Sequence, residues 1–175
     1  MSIMDMMASS YAVSRTRKYN RVINFNAVIK GSQTAVFLMP RMSMEFYLAR
    51  SVVESLMKYF GRIVLVVTEN MRELATYRSE VISFSQKDAN FLKLPSNDLI
   101  SRLRSEKIDL AFDLSFSEDI FMSYLCRMSD AQMTVGFSKP NSERFYDLQV
   151  RQASGADMKD AYESLKNTIR MFKEK

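Results

Sequence analysis

The sequence predicts an α/β fold: an open, mostly parallel sheet of five to six strands between helices, in three α/β/α layers. Nearly unbroken apolar runs at residues 34–40, 62–69 and 108–115 are what strands buried on both faces require. Between them lie amphipathic stretches with apolar residues spaced three and four apart, the signature of covering helices. Repeats, low-complexity segments and Pro/Gly-rich linkers are absent, so nothing divides the body of the chain. At 175 residues, with 47% apolar and 26% charged side chains, one packed domain is expected and global disorder is excluded.

In order, TAVFLMP (34–40) is the first strand, closed by Pro40. Residues 44–60 form a helix with Leu48, Val52, Ser55, Leu56 and Tyr59 on one stripe, ended by Gly61. RIVLVVTE (62–69) is a second buried strand, rich in β-branched residues. MRELATYRS is a short helix candidate, and VISFS (81–85) an edge strand with polar flanks. After Pro95, Ser96 or Asn97 caps a helix to about Glu106 that buries Leu99, Ile100 and Leu103. IDLAFDLS (108–115) is the fourth strand. SEDIFMSYLCRMSD is a helix capped by Ser117, with Ile120, Phe121, Tyr124, Leu125 and Met128 inward. MTVGF is a fifth strand and YDLQV (146–150) a short sixth. Residues 156–173 give the clearest amphipathic helix, through Met158, Tyr162, Leu165, Ile169 and Phe172. Within the first 33 residues, RVINFNAVIK reads as a strand by alternation or as the end of a basic helix; helix is preferred.

Charge divides the chain where periodicity does not. Residues 1–33 carry Arg15, Arg17, Lys18, Arg21 and Lys30 against Asp5 alone, while residues 34–175 are almost balanced. A basic N-terminal arm or helix (1–33) ahead of a Rossmann-like domain (34–175) is therefore expected. A folded body that gripped nucleic acid would spread its positive charge along the phosphates, so a nucleic-acid partner is not expected. There is no apolar run of membrane-spanning length and no signal-peptide pattern, which predicts a cytoplasmic protein.

Several chemistries are excluded by composition. Without histidine there is no Ser-His-Asp arrangement and no common zinc site, so no metal or cofactor is expected. Gly31, Gly61, Gly136 and Gly155 stand too far apart for a phosphate-cradling loop. Cys126 falls on the apolar side of a helix and reads as core packing. In open parallel sheets, ligands meet the loops at the carboxyl ends of strands. The loop PRMSME (40–45) offers Arg41 for an anion, Ser43, and Glu45 as a base toward a hydroxyl; equally, Ser43 and Glu45 simply open the next helix. The loop DLSFSED (113–119) offers Asp113, Ser115 and Ser117. Asp113 sits in an apolar strand and must find donors, either ligand hydroxyls or loop amides. The amides after Ser117 can receive an anion, in competition with Glu118 and Asp119. SKPNSER (138–144) brings Lys139, in a segment that also reads as a solvated turn.

The segments TAVFLMPRMSMEFYLARSVVESL, RIVLVVTE, DLISRLRSEKIDLAFDLSFS and SYLCRMSDAQMTVGF, in that order, resemble the amino-terminal half of glycosyltransferase family nine. These are the bacterial ADP-heptose:lipopolysaccharide heptosyltransferases. Asp109, Leu110, Asp113 and Leu114 match the family's D-L-x-x-D-L strand. Leu125, Arg127, Ser129 and Ala131 match its next phrase, and Gly136 and Phe137 its x-x-G-F strand. The resemblance spans residues 34–175 and implies a single GT-B-type half, the acceptor-side lobe of a two-domain transferase. Two departures accompany it. The family's Ser-x-x-Gly-Asp stretch, whose aspartate is the base, is absent, leaving Glu45 as a displaced substitute. The sequence also contains no second, nucleotide-sugar-binding domain.

The resemblance thus implies a heptosyltransferase-like domain that is not catalytic alone. It would bind a glycan, a lipid-linked sugar acceptor or a partner protein, and would transfer sugar only if a separate donor domain completed it. A reading from another class is a membrane-surface or protein-interaction module. There Arg15, Arg17, Lys18 and Arg21, mixed with Tyr19, Val22, Ile23 and Phe25, would meet anionic lipid at the inner membrane face; the alternative for this segment is a solvated extension.

Overall fold

The computed structural model describes residues 3–16, 22–75, 79–151 and 157–174. Helix α1 (Ile3–Arg15) is followed by α2 (Phe25–Gly31), whose N-terminus is capped by the Asn24 side chain accepting from the Ala27 amide. Strand β1 (Thr34–Leu38) leads to α3 (Ser43–Leu56), then β2 (Arg62–Thr68) and β3 (Glu80–Phe84). Helix α4 (Asn97–Arg104), capped by Ser96, precedes β4 (Leu110–Asp113) and α5 (Ile120–Arg127). Strands β5 (Met133–Phe137) and β6 (Leu148–Val150) follow, then α6 (Met158–Lys173).

The six strands form one sheet, entirely parallel, in the order β3-β2-β1-β4-β5-β6. Alternation along each strand sorts the side chains onto two faces. Ala35, Phe37, Leu65, Phe112, Val135 and Phe137 pack against α2, α3 and α6, with Phe37 and Phe112 stacked at 4.7 Å. Val36, Leu38, Val64, Val66 and Ala111 pack against α1, α4 and α5. Because the sheet is covered on both sides, its central strands need no polar face. That is why they read as continuous apolar runs. α1 and α2 belong to these layers: Ala8 and Ala12 lie in one core and Ile29 in the other.

Several expectations need correction. The inward face of α3 is Glu45, Phe46, Ala49, Val52, Val53 and Leu56; Leu48, Ser55 and Tyr59 lie at its flank, half-buried. After β2 the chain makes a 3-10 turn over Glu69–Leu74, with Met71 alone buried, so a longer helix would have no stripe to pack. The rest of the expected helix, at 76–78, lies outside the described residues. α5 begins two residues later than its sequence signals suggest: Asp119, not Ser117, is the cap and accepts from the Phe121 and Met122 amides. Of the apolar residues in the basic segment, Ile23 packs on the core, Val22 is exposed and Phe25 opens α2, while Tyr19 lies outside the described residues. Arg15 is exposed at the end of α1; Arg17, Lys18 and Arg21 lie outside the described residues. No helix among the described residues is long and apolar enough to cross a membrane.

Candidate functional site

The strand order turns outward in both directions from the pair β1 and β4, so the loops after these strands part and leave a crevice at their carboxyl ends. Six of the residues singled out in the sequence, Arg41, Glu45, Asp113, Ser115, Ser117 and Lys139, meet around or beneath it. Arg41, two residues after Met39, makes a bidentate pair with Asp119, Nε to Oδ2 at 2.6 Å and Nη2 to Oδ1 at 2.9 Å. Its guanidinium also lies 5.4 Å from the centre of the Phe121 ring. One carboxylate thus caps α5 and holds the arginine that lines the crevice.

Glu45 is 1% exposed. One of its oxygens accepts from the Phe116 amide at 3.0 Å, the other from the Ser117 amide at 3.2 Å and from the Ser117 hydroxyl. The first turn of α3 is thereby tied to the loop after β4 through three hydrogen bonds to the one carboxylate. Glu45 is thus held by loop donors while its residue also borders a small cavity beside Arg41. Of the amides around this helix start, that of Ser117 is taken by Glu45 and those of Phe121 and Met122 by Asp119.

Asp113, fully buried at the end of β4, lies beneath the crevice. It accepts from the Ser115 amide at 2.9 Å, the Ser123 hydroxyl at 3.1 Å and the Tyr146 hydroxyl. The Lys139 ammonium stands 3.5 Å away and donates to the Ser115 carbonyl at 2.7 Å, its side chain only 8% exposed. Lys139 is therefore an internal strut, not a solvated turn residue. The loop is held once more from the opposite face by the Tyr162 hydroxyl, which donates to the Leu114 carbonyl at 2.6 Å. Burial, reinforced by the Asp113 charge, pushes the Tyr146 hydroxyl far above its ordinary range. Burial likewise pushes up Tyr162, with Glu45 and Asp113 adding to it. Both phenols keep their protons and donate them, Tyr146 to Asp113 and Tyr162 to the Leu114 carbonyl. Burial and then Asp113 raise the Cys126 thiol, which makes it inert.

Within this satisfied frame one group is left over. The Ser115 hydroxyl, on a residue 2% exposed, has no hydrogen-bond partner among the described residues. Ser115 is one of the residues around a cavity of about 270 Å³ shared with Arg41, Met42, Glu45, Ser117, Glu118 and Asp119. Ser43, on the exposed first turn of α3, is not part of this lining. Arg41 also borders a broader open cleft of about 950 Å³ that runs over the carboxyl ends of β2 and β3. Thr68, Glu69, Asn70, Ser85, Gln86 and Lys93 supply its polar groups, and the stacked pair Phe84 and Phe121, 5.0 Å apart, its apolar floor. The Thr68 hydroxyl is a second buried polar atom without a partner. Sequence reasoning missed these residues. The rule that ligands sit beyond strand ends, extended to β2 and β3, would have pointed to them. No cluster of metal-ligating side chains occurs among the described residues.

Gly136 has a local cause. A Cβ there would come within 2.6 Å of the Tyr146 ring, so only glycine lets that ring lie against β5 and reach Asp113.

In comparison with known proteins, the model of a family of unknown function, DUF6913, matches residues 14–172. No curated protein and no solved structure matches the chain.

Proposed function

We propose a function for a chain that belongs to the DUF6913 family: a sugar-binding lobe of heptosyltransferase-like type that holds a glycan acceptor without performing transfer itself. One observation carries this reading. Of the two groups that could do chemistry or binding beside each other in the crevice, the Glu45 carboxylate is engaged by three loop donors while the Ser115 hydroxyl has no partner among the described residues. A buried hydroxyl without a partner favours a ligand that both donates and accepts, as sugar hydroxyls do. Arg41, exposed on one side and stiffened by Asp119 on the other, suits a phosphate or carboxylate on the same ligand. The adjoining cleft adds amide and hydroxyl side chains over an aromatic floor, a lining that suits a polyhydroxylated chain longer than one ring.

The test is calorimetric titration of the full chain with phosphorylated hexoses and heptoses and with core oligosaccharides released from lipopolysaccharide. Saturable binding is expected, weakened at least tenfold by Arg41→Ala, a change of about 1.4 kcal/mol. Nucleotide-sugar turnover by the chain alone is expected to be absent. Turnover that Glu45→Gln abolishes, or binding that Arg41→Ala and Ser115→Ala both leave intact, would overturn the reading.

A further inference from the structure

We infer that the open cleft beyond β2 and β3 takes an amino sugar whose ammonium group is met by Glu69. This rests on the sugar-binding reading and specifies which sugars the cleft selects. The chain leaves β2 through Thr68, Glu69 and Asn70, and all three stand around the cleft. Thr68 occupies the N-cap position of the 3-10 turn over Glu69–Leu74, where a threonine hydroxyl ordinarily accepts from the turn's amides. It makes no such bond, and its buried oxygen has no partner among the described residues. Glu69 and Asn70 are exposed, and their side chains make no hydrogen bond or ion pair among the described residues. Gln86, after β3, adds a second carboxamide without a partner there. Other polar groups around the cleft hold its loops together. The Ser85 hydroxyl donates to Asp88 and accepts from the Lys87 amide, and the Asn90 carboxamide oxygen accepts from the Leu92 and Leu94 amides.

Charge selects the ligand. Three charged side chains stand around the cleft, Arg41, Glu69 and Lys93. Arg41 is held by Asp119, and the Lys93 ammonium lies 3.7 Å from Asp5. Glu69 has no counter-charge among the described residues; Lys87, which shares a neighbouring cleft with it, forms no ion pair to it. The unanswered charge is therefore negative. A protonated amine brings a positive charge and three donors to a carboxylate that can only accept. Sugar hydroxyls both donate and accept, which suits a hydroxyl and two carboxamides left without partners. A plain polyamine would answer Glu69 and leave those groups unmatched, and an N-acetylated sugar would answer them and leave Glu69 unmatched.

The experiment is calorimetric titration of the full chain at about pH 6, where such an amine is protonated and a carboxylate is not. The probes are the β-1,4-linked glucosamine disaccharide, its diacetylated form, cellobiose and spermidine, with glucose 6-phosphate reporting on the sugar-binding reading itself. The glucosamine disaccharide is expected to bind about fivefold more tightly than cellobiose or the diacetylated form, the upper end for an ion pair left partly in water. Glu69→Gln should remove that preference and leave cellobiose binding unchanged. Glu69 is exposed and supports no other residue, so thermal unfolding of the variant should match that of the parent chain. Equal affinity for the amine and its acetylated form, or a preference that survives Glu69→Gln, overturns the inference, while binding of glucose 6-phosphate leaves the sugar-binding reading standing. Spermidine bound as tightly as the disaccharide, with the same dependence on Glu69, also overturns it, because the cleft would then be a simple cation site. Absence of binding by glucose 6-phosphate and by every disaccharide removes both together.

Discussion

Ser115 and Glu45 are neighbours in space with opposite energetic standing. The Ser115 hydroxyl is desolvated without compensation, so Ser115→Ala should leave thermal stability unchanged or raise it by up to about 1 kcal/mol while weakening sugar binding severalfold. Thermal unfolding and titration of the same variant check both halves. Glu45→Gln should do the reverse. An amide offers one acceptor and one donor to a loop that presents only donors on both sides, at a cost of about 2 kcal/mol measurable by urea denaturation. Both residues were visible in the sequence as polar groups at strand ends. Their roles were not, because an acceptor's role depends on which donors a segment seventy residues away brings to it.

At the level of elements, the end of β4 and the start of α5 form a clamp closed from β5 and from the segment after it. Tyr146 reaches Asp113 only because Gly136 leaves room for its ring. Gly136→Ala should therefore cost roughly 1–3 kcal/mol, the range for overpacking, and loosen the crevice loop. Urea denaturation reads the first effect, and faster amide exchange at Ser115 and Phe116 the second. Element type was legible wherever periodicity was strong: α4 buries Leu99, Ile100 and Leu103, and α6 buries Tyr162, Leu165 and Ile169, with Met158 and Phe172 partly buried against the same core. It failed where a local signal competed with tertiary contact. Ser117 is a good cap by composition, but Glu45 takes its amide and hydroxyl, and the helix starts at Asp119.

At the scale of the molecule, three tyrosines among the described residues hold their protons more tightly when folded, Tyr124, Tyr146 and Tyr162, in each case chiefly through burial. Their contribution is fully present below the ordinary tyrosine range near pH 10 and is lost as pH rises through it, because only the unfolded chain ionises them. Stability should then fall by roughly 1.4 kcal/mol per pH unit for each tyrosine that stays protonated in the fold. Denaturation midpoints measured from pH 8 to 11 check this, and the decline should be shallower in Tyr162→Phe. Cys126 provides a second whole-molecule probe. Buried and raised in pKa, it should react with thiol reagents at pH 8 only at the rate of global opening.

The α/β class, the parallel sheet and the positions of most strands and helices were determined by the sequence alone. Apolar runs and three-four spacings are local records of burial on two faces or on one. The strand order, and with it the crevice between β1 and β4, was decided only by tertiary structure. So were the engagement of Glu45, the isolation of the Ser115 hydroxyl and the sheltering of Lys139. Each depends on which distant segments share a hydrogen bond, and no periodicity along a chain encodes the partner of a polar atom.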